Sequence, residues 1–196
     1  MNVFILNTGR CGSLTFIRAC SHIRNFTSGH ESRSGLPGPE RLQYPADHIE
    51  ADNRLSWLLG RLDREYGTEA FYVHLQRDAE AVARSFIARY DSGIMRAYRT
   101  TILMRKAGGA DPLEVARDYC DTVNSNIEMF LRGKPYQMVF NIEAAASQFP
   151  IFWQRIGAQG HLEAALAEFT VRHNSSDPGL FSRLLASLRR RGGNPP

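Results

Sequence analysis

Val3-Phe4-Ile5-Leu6-Asn7-Thr8-Gly9-Arg10-Cys11-Gly12-Ser13-Leu14-Thr15 passes from four apolar residues, through a turn holding two glycines, into an amphipathic run. Leu14, Ile17, Cys20 and Ile23 recur at helical spacing, and Phe16 and Ala19 widen the stripe. The stretch therefore predicts strand, loop and helix in that order. Gly9 and Gly12 let the backbone turn tightly and approach an anion without a Cβ in the way. A helix opening near Ser13 aims unpaired N–H groups and its positive dipole end at the same spot. Thr8, Ser13 and Thr15 bring hydroxyls, Arg10 a permanent charge. The alternative is an ordinary strand-to-helix turn.

Spacing separates this loop from two better-known anion loops. An ATP or GTP loop of the type G-x-x-x-x-G-K-[ST] needs wider glycine spacing and a Lys, which no residue after Gly12 supplies. A cysteine phosphatase loop would use Cys11 as nucleophile and close on an Arg. Arg18 falls one residue too late for that. Cys11 reads instead as a small residue in a crowded loop.

A second signature follows 67 residues after Arg10. Phe71-Tyr72-Val73-His74-Leu75 reads as a buried strand. Asp78 can cap a helix with Val82, Phe86 and Tyr90 on its apolar face. Arg77 then stands at the C-terminal end of the strand, where open α/β sheets bind ligands. Ser85, two turns into that helix, can share one phosphate with Arg77. Alone, Arg77 and Ser85 would read as a surface Arg and a solvated Ser. Two phosphate-gripping elements in this order point to a nucleotide held at two separate phosphates.

On these residues the chain resembles the sulfotransferase family, which uses 3′-phosphoadenosine 5′-phosphosulfate (PAPS). The family's 5′-phosphosulfate loop after the first strand is similar to Arg10-Cys11-Gly12-Ser13-Leu14-Thr15, with Cys11 where Ser is usual. Its 3′-phosphate motif is a strand ending in Arg, then Asp-Pro, then Ser eight residues after the Arg. Arg77-Asp78 and Ser85 keep that spacing, with Ala79 in place of Pro. A looser similarity is Arg172-His173-Asn174-Ser175, where relatives carry a segment that folds over the nucleotide.

The resemblance implies sulfuryl transfer from PAPS, with no metal, to a hydroxyl of a small-molecule or carbohydrate acceptor. Thr8 to Thr15, Arg77, Ser85, Arg172 and Asn174 would bind the nucleotide. Arg10 would meet charge on the leaving 5′-phosphate. The family's general base is a His or a Glu. Glu31 is the first choice here, with His30 beside it and His48 and Asp52 in reserve. Neighbours on a strand point to opposite faces, so one of His30 and Glu31 should face the site. A nucleotide kinase with a degenerate loop and a catalytically silent nucleotide-binding protein are the alternatives.

Composition agrees with one globular domain. The chain has 196 residues, 43% hydrophobic and 22% charged. A single domain over residues 1–190 with a tail at 191–196 is expected. Three scattered cysteines give no disulfide framework, and six histidines show no metal-ligand spacing. With no apolar run of membrane-spanning length, a cytoplasmic protein is expected. The net charge is +4, and every basic residue but Lys106 and Lys134 is Arg. Arg189-Arg190-Arg191 reads as a solvated helix end rather than a nucleic-acid contact. Whether the chain forms a homo-oligomer is left open.

The rest of the chain supplies alternating strands and helices. Strands are expected over 25–29, 48–51 and 136–140. Breakers at Gly35, Pro37, Gly38, Pro39 and Pro45 predict a long loop over 32–46. Helices are expected from Asp52 or Asn53 to Gly67, over 92–106, from Pro112 past Phe130, over 144–157 with a break at Pro150, and over 161–169. The pattern predicts a three-layer α/β/α fold around a mainly parallel sheet, like that of P-loop NTPases, with 2–7 and 71–76 as interior strands.

Overall fold

The computed structural model describes residues 1–104 and 110–170. Its frame is a five-stranded, fully parallel sheet of β1 (Val3–Leu6), β2 (Thr27–His30), β3 (His48–Ala51), β4 (Phe71–Gln76) and β5 (Gln137–Asn141), in the order β2-β3-β1-β4-β5. All four residues of β1, and all of β4 but Gln76, are buried, as strands covered on both faces must be. The helices are α1 (Ser13–Cys20), α2 (Leu59–Tyr66), α3 (Ala79–Ile87), α4 (Gly93–Ala97), α5 (Pro112–Leu131), α6 (Ala145–Arg155) and α7 (Leu162–Ala167).

Alternation along the strands divides the core. Phe71 and Phe140 point to the face of α1 and α6, where Phe16 meets Phe140, Phe149 and Phe152 at 4.9–5.6 Å between ring centroids. Phe4, Tyr72 and His74 point to the other face. There Phe4 packs on Tyr66 of α2, Tyr72 on Phe130 of α5, and His74 bonds Asn124 of α5. The chain leaves β1 toward β2 on one side and later reaches β4 on the other. The C-terminal end of β1 is thus the topological switch point, where such sheets hold ligands.

Several boundaries differ from expectation. The helix foreseen from residue 52 is two pieces. Asp52 caps a 3-10 turn, Asn53–Trp57, by accepting from Arg54 N–H, and the chain breaks at Leu58 before α2. Residues 93–102 are a short helix followed by one π turn, Tyr98–Ile102. The loop over 32–46 holds a 3-10 turn, Pro39–Leu42. Pro150 does not break its helix, which runs continuously from Ala145 to Arg155. The missing hydrogen bond and ring clash cost about 3 kcal/mol. Phe149 and Phe152, both fully buried on either side of it, offset that at roughly 1.5–3 kcal/mol each. Among the described residues no helix is long and apolar enough to cross a membrane.

Candidate functional site

Residues 7–12, between β1 and α1, form a loop built on left-handed backbone. Gly9, Arg10 and Gly12 have φ of 86°, 60° and 84°. A Cβ on Gly12 would come within 2.9 Å of Ile142 Cγ1, and one on Gly9 within 3.0 Å of Asn53 Nδ2. Arg10 adopts the same region without glycine's freedom, a strain typical of ligand-gripping loops. The loop is braced from beneath. The Asn7 side chain accepts from Gly9 N–H at 2.8 Å, the Ser56 hydroxyl donates to the Asn7 carbonyl at 3.1 Å, and the Tyr119 hydroxyl donates to the Thr8 carbonyl at 2.7 Å.

α1 has no side-chain cap, and its first intrahelical bond runs from Phe16 N–H to the Gly12 carbonyl. The N–H groups of Ser13, Leu14 and Thr15 precede that bond and open toward a cavity of about 320 Å³. Gly12→Ala is expected to lower stability by about 1–2 kcal/mol through the left-handed backbone alone. The Ile142 contact adds to that, and a denaturant titration reads the sum.

The two signatures meet in this cavity. β1 and β4 are adjacent, so Arg77, just past β4, stands beside the loop. Its Nη1 donates to the Arg10 carbonyl at 3.2 Å. The Arg10 side chain reaches across to α3, where its Nε donates to Ser85 Oγ at 2.9 Å. Arg89, one turn beyond Ser85, also lines the cavity. Burial lowers the pKa of Arg10, and repulsion from Arg89 and Arg77 lowers it further. Three guanidinium groups thus share this cavity, one of them bonded to the Ser85 hydroxyl, an arrangement that an anion relieves.

The opposite wall carries His30 and Glu31, and both line the cavity. The expectation that only one would face it fails because β2 ends at His30. Glu31 has φ 53°, so strand alternation no longer applies. His30 Nε2 hydrogen-bonds Ser13 Oγ at 3.0 Å, and Glu31 pairs with Arg54 Nη1 at 2.8 Å. The hydrogen bond that Arg54 donates to Glu31 is the main cause that raises the Arg54 pKa.

The two reserves are committed elsewhere. Asp52 is buried against Arg41, and His48 bonds Glu50 and Thr27. Thr8 and Cys11 turn inward, Thr8 Oγ1 lying 3.0 Å from Cys11 Sγ, and they line a separate cavity of about 190 Å³. Burial pushes the Cys11 thiol up, the opposite of an activated nucleophile. Arg172 and Asn174, with the 191–196 tail, lie outside the described residues.

Arg54, Arg89, Asn53 and Phe86 also line the cavity and went unrecognised in the sequence. Arg89 had a readable signal, since it follows Ser85 by four residues, although the helix ends before it at Ile87. Arg54 had none, lying inside a stretch that reads as an amphipathic helix.

No family model and no curated protein sequence matches this chain. Among solved structures it is similar to the crystal structure of a sulfotransferase from Alicyclobacillus acidocaldarius. The two are 14% identical, with 96% of this chain and 91% of that one covered and a TM-score of 0.50. At that identity the likeness is one of architecture, and the chain has a sulfotransferase-like α/β fold.

Proposed function

We propose that this protein is a PAPS-dependent sulfotransferase acting on a hydroxyl of a small-molecule or carbohydrate acceptor. The observation that carries this reading is that Arg10 and Arg77, one from each phosphate signature, line one cavity, with Arg10 also donating to Ser85 on α3. One end of that cavity is an uncapped helix start, suited to the 5′-phosphosulfate. The same cavity holds Arg10, Arg77 and Arg89, with Ser85 behind Arg10, a group suited to a dianionic 3′-phosphate. A nucleotide with a single phosphate chain would use only one of them.

Transfer of the sulfuryl group is an in-line displacement on sulfur, for which a protein mainly positions groups and stabilises charge. The first N–H groups of α1, with Ser13 and Thr15, meet charge growing on the leaving 5′-phosphate oxygen. The 3′-phosphate cluster holds the nucleotide in register. Glu31 takes the proton from the acceptor hydroxyl, and Arg54 orients its carboxylate. His30 holds the Ser13 hydroxyl toward the reacting group.

Calorimetry against adenosine 3′,5′-bisphosphate, ADP and ATP tests the binding half, and release of sulfate from labelled PAPS tests the chemistry. The bisphosphate is expected to bind at least about tenfold more tightly than ATP, the worth of one charge-assisted contact near 1.4 kcal/mol. Equal affinity for the two would move the reading to a nucleotide kinase. Tight bisphosphate binding without PAPS turnover would indicate a silent nucleotide-binding protein.

A further inference from the structure

Glu50 is a fully buried carboxylate in the middle of β3, outside the cavity and unused by the chemistry above. It faces β2 at Gly29, its register partner. A Cβ on Gly29 would fall 2.7 Å from Glu50 Oε2. The glycine is therefore the gap through which the carboxylate crosses β2. Beyond that gap it meets Ser32. The Ser32 N–H donates to Oε1 at 2.8 Å and the Ser32 hydroxyl to Oε2 at 2.6 Å. His48 Nε2 donates to Oε2 at 3.0 Å, and the Thr27 hydroxyl lies 2.8 Å from His48 Nδ1. Burial works against the ionised form, but the bonds from His48 and Ser32 outweigh it, so the Glu50 carboxyl is held below its ordinary range.

These bonds act on the residue between β2 and Ser32. The backbone brings the Ser32 N–H and hydroxyl back over Gly29 by reversing at Glu31, the one residue between His30 and Ser32. Glu31 is the residue with φ 53°. Its own N–H still donates to the Ala51 carbonyl at 2.9 Å, so the reversal begins at the last bond of the sheet. A β-type conformation would restore strand alternation and take the Glu31 side chain away from His30. The left-handed turn brings the two to one cavity wall, with Glu31 against Arg54.

We infer that Glu50 is a positioning residue for Glu31: by anchoring Ser32 through the gap at Gly29, it fixes the left-handed turn that aims Glu31 into the cavity. The inference rests on the reading of Glu31 as the base, but its geometry can be tested apart from that reading. A merely structural carboxylate would hold β2 to β3 and leave Glu31 where it is. A positioning carboxylate changes turnover through Glu31 alone.

The experiment uses Glu50→Gln, Ser32→Ala and Gly29→Ala in the full chain, each also combined with Glu31→Gln. Ser32→Ala keeps the buried carboxylate and serves if Glu50→Gln does not fold. Bisphosphate affinity is expected to stay within about twofold in every variant, because the phosphate clusters are untouched. PAPS turnover is expected to fall roughly 10- to 100-fold, as a misplaced catalytic group implies. In the Glu31→Gln background the same substitutions should change turnover by less than about twofold, since the group they position is gone. Equal losses in both backgrounds would overturn the proposal. A crystal structure of Ser32→Ala decides the matter independently of any activity. Glu31 leaving the left-handed region and its Arg54 partner supports the proposal, and Glu31 unmoved overturns it. Failure of the parent protein to bind the bisphosphate would instead remove the functional reading, with that structure still deciding the turn.

Discussion

Glu31→Gln is expected to lower sulfuryl transfer by roughly 10²–10⁴-fold, the usual worth of a positioned general base. The amide is nearly isosteric, so the cavity keeps its shape. The lost partner is Arg54, whose side chain is 45% exposed and whose pair with Glu31 is accessible to water. Exposed pairs contribute about 0–1 kcal/mol, so the melting temperature should move little. Bisphosphate affinity should also hold, because the phosphate-binding groups lie on other elements. The loss should therefore appear in kcat. His30→Asn should cost less, about fivefold, equivalent to one ordinary hydrogen bond of about 1 kcal/mol. The reverse order, with His30 essential and Glu31 dispensable, would move the base by one residue. Slow PAPS hydrolysis serves as the assay until an acceptor is identified.

The contrast between His30 and Glu31 shows where reading the sequence stops. Continuous apolar runs fix β1 and β4 as interior strands, because no other arrangement covers both of their faces. Gly9 and Gly12 announce a left-handed loop, and the apolar run before Arg77 announces its place just past the end of a strand. These are local signals and all were legible. The turn at Glu31 is not local, since it depends on Glu50 reaching through Gly29 to Ser32, across two strands. Nothing in residues 27–34 alone ends the alternation at His30, so strand periodicity was carried one residue too far. Arg10 is a related case: its charge was legible, but the bond its side chain makes to α3 joins residues 75 apart in the chain. Arg54 was hidden by the Leu-rich spacing around it, which merges a 3-10 turn and α2 into one apparent helix.

The Arg10–Ser85 contact bears on what removing the cluster's charges should do. Arg77→Ala is expected to weaken adenosine 3′,5′-bisphosphate by roughly 10- to 100-fold, corresponding to about 1.5–3 kcal/mol for a hydrogen bond to a charged group. ADP, lacking the 3′-phosphate, should be nearly unaffected. Arg10→Ala is expected to act on the same phosphate and lower bisphosphate affinity as well, where a side chain aimed at the leaving 5′-phosphate would have spared the product and lowered kcat. The double variant should lose less than the sum of the two. Arg77 and Arg89 both depress the Arg10 pKa, so deleting one guanidinium relieves repulsion on those that remain. Shared ligands and mutual repulsion both make neighbouring sites non-additive. The binding difference between bisphosphate and ADP should also shrink with added salt, because these guanidiniums are partly exposed. Strict additivity, together with a kcat-only effect of Arg10→Ala, would return Arg10 to the 5′-phosphate and leave Arg77, Ser85 and Arg89 as the cluster.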